Sequence, residues 1–253
     1  MADVAETGSL GIPKERFLAS VRQALGRAEG PPEPPYASLA EDVSALETQA
    51  AGMRGRNAGA MQELLDRLAA TAQLRGWQVH RAASAAEAVG HITAVAQALG
   101  VRRVVRSDHE VLHTLPVQAA LEGMGLKVTA IVQDQDHPRE ALRREMAEAG
   151  LGITGADYAV AETGSVVVLP RRGLSRLVSL VPPVHLAVVR PQEVVATLDD
   201  VFLLRRLEYY RNGGDMGSYL NFITGPSRTA DIEQTLVVGV HGPREVHLVL
   251  LNL

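Results

Sequence analysis

Residues 225–233 carry the densest chemical content of the chain: Gly225-Pro226, then Ser227, Arg228, Thr229, Ala230, Asp231, Ile232 and Glu233. A Gly-Pro turn leading into two hydroxyls and a guanidinium at an expected helix start suits a phosphate or carboxylate. Free amides, hydroxyls and a planar cation would converge there on one anion. The plainer role for the same residues is Ser227 or Thr229 as a helix N-cap and Arg228 as a solvated or ion-paired side chain. Gly225, Ser227, Arg228 and Thr229 are therefore the candidate anion seat, with Asp231 beside it.

Glu162 is the candidate catalytic group. The apolar run Tyr158, Ala159, Val160, Ala161 delivers it into a tight turn with Thr163 and Gly164, and Val166, Val167, Val168 and Leu169 follow. A carboxylate held between two buried strands is disposed to a raised pKa and to work as nucleophile or base. A turn glutamate in water is the competing reading. His185, after Pro182-Pro183, and His241, before Gly242-Pro243, either face a pocket or satisfy a buried carbonyl. His109 and His113 have the spacing of one helix face, but Glu110, Val111 and Leu112 between them do not make the zinc-protease arrangement. Arg171, Arg172 and Arg176 around Gly173-Leu174-Ser175 form either an anion-binding loop or a solvated turn.

Other chemistries are excluded by what is missing from the sequence. There is no dinucleotide fingerprint, phosphate-binding loop or nucleophile elbow. The chain holds no cysteine, which removes disulfides, thiol nucleophiles, cysteine-bound zinc and all-cysteine iron–sulfur clusters within it. Redox chemistry would need a bound cofactor or a partner, and no cofactor is expected from the residues. A net charge of −4 and pI near 6.1 give no pull toward nucleic acid or anionic lipid. No window holds the roughly 20 apolar residues of a membrane span. Asp3, Glu6, Lys14, Glu15 and Arg16 do not make a signal peptide, so a cytoplasmic location is expected.

The elements that must position these groups follow from periodicity. Phe17, Leu18, Val21, Ala24 and Leu25 make a short amphipathic helix entered through Pro13, and a Pro-rich stretch at 30–35 follows as a linker. Residues 1–55 are thus expected to be a helical extension with its linker, and 56–253 an α/β domain. Met61, Leu64, Leu65, Leu68 and Ala72 form a second stripe, ended by Gly76. Strands are expected at 77–81, 102–106 and 127–132. Between them lie a helix from the Ser84/Glu87 capping box to Gly100 and one opened by Pro116. A further helix carries Leu142, Met146 and Ala149. The second half reads as strands at 158–161, 165–169, 184–190, 219–224 and 236–251, with a helix around 198–211. Strand–helix alternation implies a layered, mostly parallel sheet flanked by helices. In such sheets ligands gather beyond the carboxyl ends of the strands, and the segments at 107–108, 133–137, 162–165 and 225–233 are the expected ends.

Three runs resemble one family. They are Gly155-Ala156-Asp157-Tyr158-Ala159-Val160-Ala161-Glu162-Thr163-Gly164-Ser165-Val166-Val167; Arg172-Gly173-Leu174-Ser175 with Leu180-Val181-Pro182-Pro183-Val184-His185; and 223–233 with Gly239-Val240-His241-Gly242-Pro243. Together, over about residues 150–250, they look like the lactate-utilisation protein C (LUD domain) family. The resemblance implies the fold of sugar-phosphate isomerases, CoA transferases and 5-formyltetrahydrofolate cyclo-ligase. It implies a non-redox component of a bacterial system oxidising L-lactate to pyruvate with iron–sulfur partner subunits. By similarity to CoA transferases it invites comparison of Glu162 and Gly164 with a strand-end glutamate and its glycine. The alternative is a stand-alone isomerase, ligase or acyl transferase on a phosphorylated or CoA-linked small molecule. In that reading Glu162 is nucleophile or base, and Ser227, Arg228 and Thr229 hold the anion.

Overall fold

A computed structural model of the protein describes residues 13–26, 41–132, 138–170, 176–215, 217, 219–230 and 236–252. The expected linker at 30–35, the segments 133–137 and 171–175, and Asp231 fall outside them. The chain divides into two compact units, Met1–Ala45 and Leu46–Leu253. The first contains helix α1 (Lys14–Ala24); Phe17 and Val21 on it and Leu25 just after it are exposed.

The larger unit is built on six parallel strands: β1 (Gln78–Ala82), β2 (Arg103–Arg106), β3 (Lys127–Ala130), β4 (Leu151–Gly155), β7 (Val184–Val189) and β12 (Glu245–Leu251). Their spatial order is β1-β12-β7-β4-β2-β3. Burial on both faces explains the near-continuous apolar runs, most clearly Val184–Val189, every residue of which is buried and only His185 of which is polar. One face packs against α4 (Ala85–Ala98), α5 (Glu110–His113) and α6 (Val117–Gly123) through Ile92, Val95, Val111, Val117 and Leu121. Helices α7 (Arg139–Glu148) and α8 (Leu177–Leu180) cluster with Val105 through Leu142, Met146 and Val178. The Ser84 side chain caps α4 by accepting from the Glu87 amide, while the Glu87 carboxylate accepts from the Ala83 amide, one residue ahead of the N-cap, so the expected capping box is only half formed.

The other face meets α3 (Met61–Arg75) through Leu64, Leu65, Leu68 and Ala72. There a second sheet joins the core. It comprises β5 (Tyr158–Val160), β6 (Ser165–Val168), β8 (Val194–Val195) and β9 (Asn221–Ile223), in the order β8-β5-β6-β9. β6 runs antiparallel to both β5 and β9. Tyr158, Val160 and Val167 on its far side meet α2 (Val43–Gly59) and α9 (Leu198–Arg211).

Three expectations change. β4 is a central strand that periodicity does not reveal, because two of its five residues are glycine. A side chain at Gly152 would collide with the Val178 carbonyl, and one at Gly155 with the His109 ring. The single strand expected at 236–251 is two, β11 (Leu236–Val238) and β12, separated by Gly239 at φ +84° and by Pro243. The helix start expected at Ser227–Thr229 is instead β10 (Arg228–Ala230), paired antiparallel with β11. Cross-strand pairing satisfies the backbone there in place of a helix.

Candidate functional site

The segments singled out from sequence are gathered against the last turn of α3. β5 ends in a tight turn whose Ala161 carbonyl accepts from Thr71 Oγ1 at 2.8 Å. Gly164, at φ +69°, lies so close to the Thr71–Ala72 backbone that no side chain fits. Thr163 Oγ1 donates to Ser165 Oγ at 2.7 Å, and Ser165 Oγ is 2.7 Å from Thr224 Oγ1, which ties this turn to the end of β9. Gly225, at φ +101°, rests on the Arg75 carbonyl, and Arg228 Nη2 donates to the same oxygen at 3.3 Å. Glu162–Ser165 and Thr224–Arg228 therefore share one edge.

Several of these groups already have structural work. Glu162 is exposed, not enclosed between strands, and its Oε2 accepts from the Leu198 amide at 3.2 Å, at the positive end of α9. Arg228 covers a carbonyl at the negative end of α3. The Ser227 amide donates to the Pro243 carbonyl at 2.8 Å. Thr229 is half-buried opposite Val237, and His241 is exposed beside this edge. His185 is elsewhere. It is fully buried in β7, its Nε2 lies 2.9 Å from Thr154 Oγ1, and desolvation, with a smaller push from His247, lowers its pKa to about 3.

The shared edge is also at the opposite end from the one the strand-end rule selects. Ser227 is bonded to Pro243, just ahead of β12, and the Arg244 amide donates to Pro183, just ahead of β7. These are the amino ends of the parallel strands. β5 runs back from the carboxyl end of β4, so its own end arrives at the far side.

The carboxyl ends hold a polar cluster that sequence reasoning did not assemble. Ser107 and His109 follow β2, Asp157 follows β4, and Arg190 and Glu193 follow β7. All but Arg190 are buried or nearly so. The His109 ring lies over Gly155, accepts from the Val111 amide through Nδ1, and places Nε2 3.8 Å from Asp157 Oδ1. Burial raises the Glu193 pKa, opposed by hydrogen bonds from the Arg190 amide and guanidinium. The available signal was Asp157 directly after Gly155-Ala156, lost because β4 was not recognised. Next to it, between α2, α9 and the start of β5, is a cavity of about 770 Å³ lined by Asp157 and Tyr158. Tyr158 donates to Glu208 Oε1 at 2.8 Å, and burial followed by that carboxylate raises its pKa strongly.

Comparison with known proteins gives a family model, described as LUD domain, that matches residues 65–251. A Halalkalibacterium halodurans protein named lactate utilization protein C is 43% identical over 114 residues, 44% of this chain and 49% of that protein. A Shouchella clausii protein named lactate utilization protein B is 25% identical over 282 aligned positions, 92% of this chain and 58% of that protein. The chain thus spans about half the length of the curated relatives it matches. Among solved structures, a duf162 family protein from Deinococcus radiodurans superposes with a TM-score of 0.51 and 25% identity, covering 76% of this chain and 98% of that one.

Proposed function

Because the chain belongs to the LUD domain family, we propose that it serves lactate utilization as a cytoplasmic, non-redox component of a system that oxidises L-lactate to pyruvate. Its partners are iron–sulfur subunits. The observation that carries this reading is the similarity to proteins named lactate utilization protein C and B. A chain with no cysteine must leave thiolate-held clusters to another subunit, which agrees with it. Among the described residues no helix is long and apolar enough to cross a membrane.

The edge shared by Glu162–Gly164 and Gly225–Arg228 is proposed as the seat for a small anion. Arg228 and the Ser227 hydroxyl are its donors, Thr229 and His241 border it, and Glu162 stands beside it as the acid–base group. Adjacency of the two segments supports this. The engagement of Glu162 with α9 and of Arg228 with α3 means that an anion must compete with existing contacts.

Reconstitution tests the role. The purified chain alone should not reduce a dye at the expense of L-lactate, and it should restore turnover when added to the two iron–sulfur subunits. Steady lactate oxidation by the isolated chain would overturn the proposal. In the reconstituted system, Glu162→Gln and Arg228→Gln should each lower turnover at least tenfold. Unchanged turnover in both would remove the anion seat while leaving the subunit role standing.

A further inference from the structure

The cavity at the carboxyl edge has no part in the lactate proposal, and its size argues that lactate is not its ligand. A water molecule occupies about 30 Å³ of liquid, so a six-atom acid needs on the order of 100 Å³. The cavity, at about 770 Å³, is several times larger and falls in the range of sites for drug-sized molecules.

Its lining defines the chemistry. Met53, Met61, Leu169, Val195 and Leu204 supply an apolar wall. The acids around it are already matched. Glu208 is held by Arg205 and by the Tyr158 hydroxyl. Asp157 Oδ2 accepts from the Leu169 amide at 2.7 Å and Oδ1 faces His109. Asp215 accepts from the Gly217 amide. Arg54, exposed on α2, is a lining cation with no ion pair or hydrogen bond among the described residues. One unpaired, exposed cation among the described lining residues, with an apolar wall beside the polar groups, matches one negative head on an apolar body. A single unpaired cation leaves the further charges of a polyphosphate without a partner.

We propose that this cavity binds a monoanionic amphipathic molecule, its carboxylate at Arg54 and its apolar body against Met53, Met61 and Leu204. The lining shares no residue with the Glu162–Arg228 edge, and the proposal does not depend on the lactate role.

The test uses decanoate, with lactate and ATP as comparators, on the full chain carrying 13C-methyl methionine. Decanoate should bind one to one with a Kd below about 100 μM. It should shift the Met53 and Met61 methyl resonances and leave Met124 and Met146 in place. Arg54→Gln should weaken it roughly three- to tenfold, and Arg54→Lys should restore most of the loss. Ala58→Trp, placed on an exposed helix position that lines the cavity, should weaken binding at least tenfold without unfolding the chain. Still Met53 and Met61 signals at 1 mM decanoate would overturn the proposal. So would ATP or lactate shifting the same methyls at lower concentration, or decanoate binding unchanged in Ala58→Trp.

Discussion

His185 gives the protein a defined pH liability. Its imidazole is fully buried in β7, bonded to Thr154, and its pKa falls from 6.5 to about 3 because burial penalises the cation. The folded state keeps it neutral while the unfolded chain protonates it below 6.5. Unfolding therefore takes up a proton between pH 6.5 and 3, and stability falls as pH falls through that window. Each pH unit below 6.5 removes about 1.4 kcal/mol, so going from pH 7.5 to 5.0 removes about 2 kcal/mol. At roughly 2–4 °C per kcal/mol for a chain of this size, Tm drops about 4–8 °C from this residue alone. His91, also lowered by desolvation and its histidine neighbours, adds to the total, so the wild-type profile is not diagnostic by itself. The decisive quantity is the difference from His185→Gln, which keeps a polar group for Thr154 but cannot titrate. Urea denaturation at pH 7.5 and 5.0 should show the wild type losing about 2 kcal/mol more than the variant. Parallel profiles within about 0.5 kcal/mol, or an imidazole NMR signal showing a cation in the native protein at pH 5.5, would refute the reasoning.

Gly152→Ala and Gly90→Ala should move stability in opposite directions. The first forces a carbon into the Val178 carbonyl and should destabilise by about 1–3 kcal/mol. The second, exposed within α4 with open space around it, should stabilise by up to about 1 kcal/mol; thermal melts by circular dichroism would show both. Tyr158→Phe removes the hydroxyl held by Glu208 and should lower stability by about 1 kcal/mol. In absorbance titration of the native wild type, one tyrosine should ionise well above the others, and Tyr158→Phe should remove that late component. Glu162→Ala takes an acceptor from the first turn of α9 and should lower Tm by a few degrees at most, about 1 kcal/mol. A larger fall would mean that Glu162 supports more than the helix end.

Much of the parallel sheet was legible because its grammar is local. Ser84 and Glu87 start α4, Gly76 stops α3 with a left-handed φ of 97°, and β7 spells its own burial. What stayed hidden needed tertiary knowledge. The glycines at 152 and 155 make β4 look like a loop, yet they are required because a helix carbonyl and His109 lie against them. β10 is three residues whose strand character comes wholly from pairing with β11. The turn that carries Glu162 is tied to the end of β9 through Ser165 and Thr224, but Glu162 itself is exposed and meets α9, because the turn faces outward.

The Glu162 and 225–228 segments singled out from sequence lie at the amino ends of the parallel strands, opposite the edge that the strand-end rule selects, for an identifiable reason. The rule holds for strands that share one direction, and β5 and β9 belong to a second, mixed sheet running back across the molecule. Their carboxyl ends lie beside the amino ends of β7 and β12. Applied only to the six parallel strands, the same rule selects Ser107, His109, Asp157 and Glu193, and the cavity is lined by Asp157. Two polar edges thus sit at opposite ends of one sheet. The Glu162–Arg228 edge is exposed and tied to helix ends, while the other is buried and adjoins a chamber. An exposed edge suits small anions or a protein partner that bring their own contacts. A buried edge that adjoins a chamber with an apolar wall suits a larger organic ligand whose body is desolvated on entry. If one edge served both purposes, Arg54→Gln and Arg228→Gln would show the same defect. With separate edges, Arg228→Gln should impair turnover with the iron–sulfur subunits and leave decanoate binding intact, and Arg54→Gln should do the reverse.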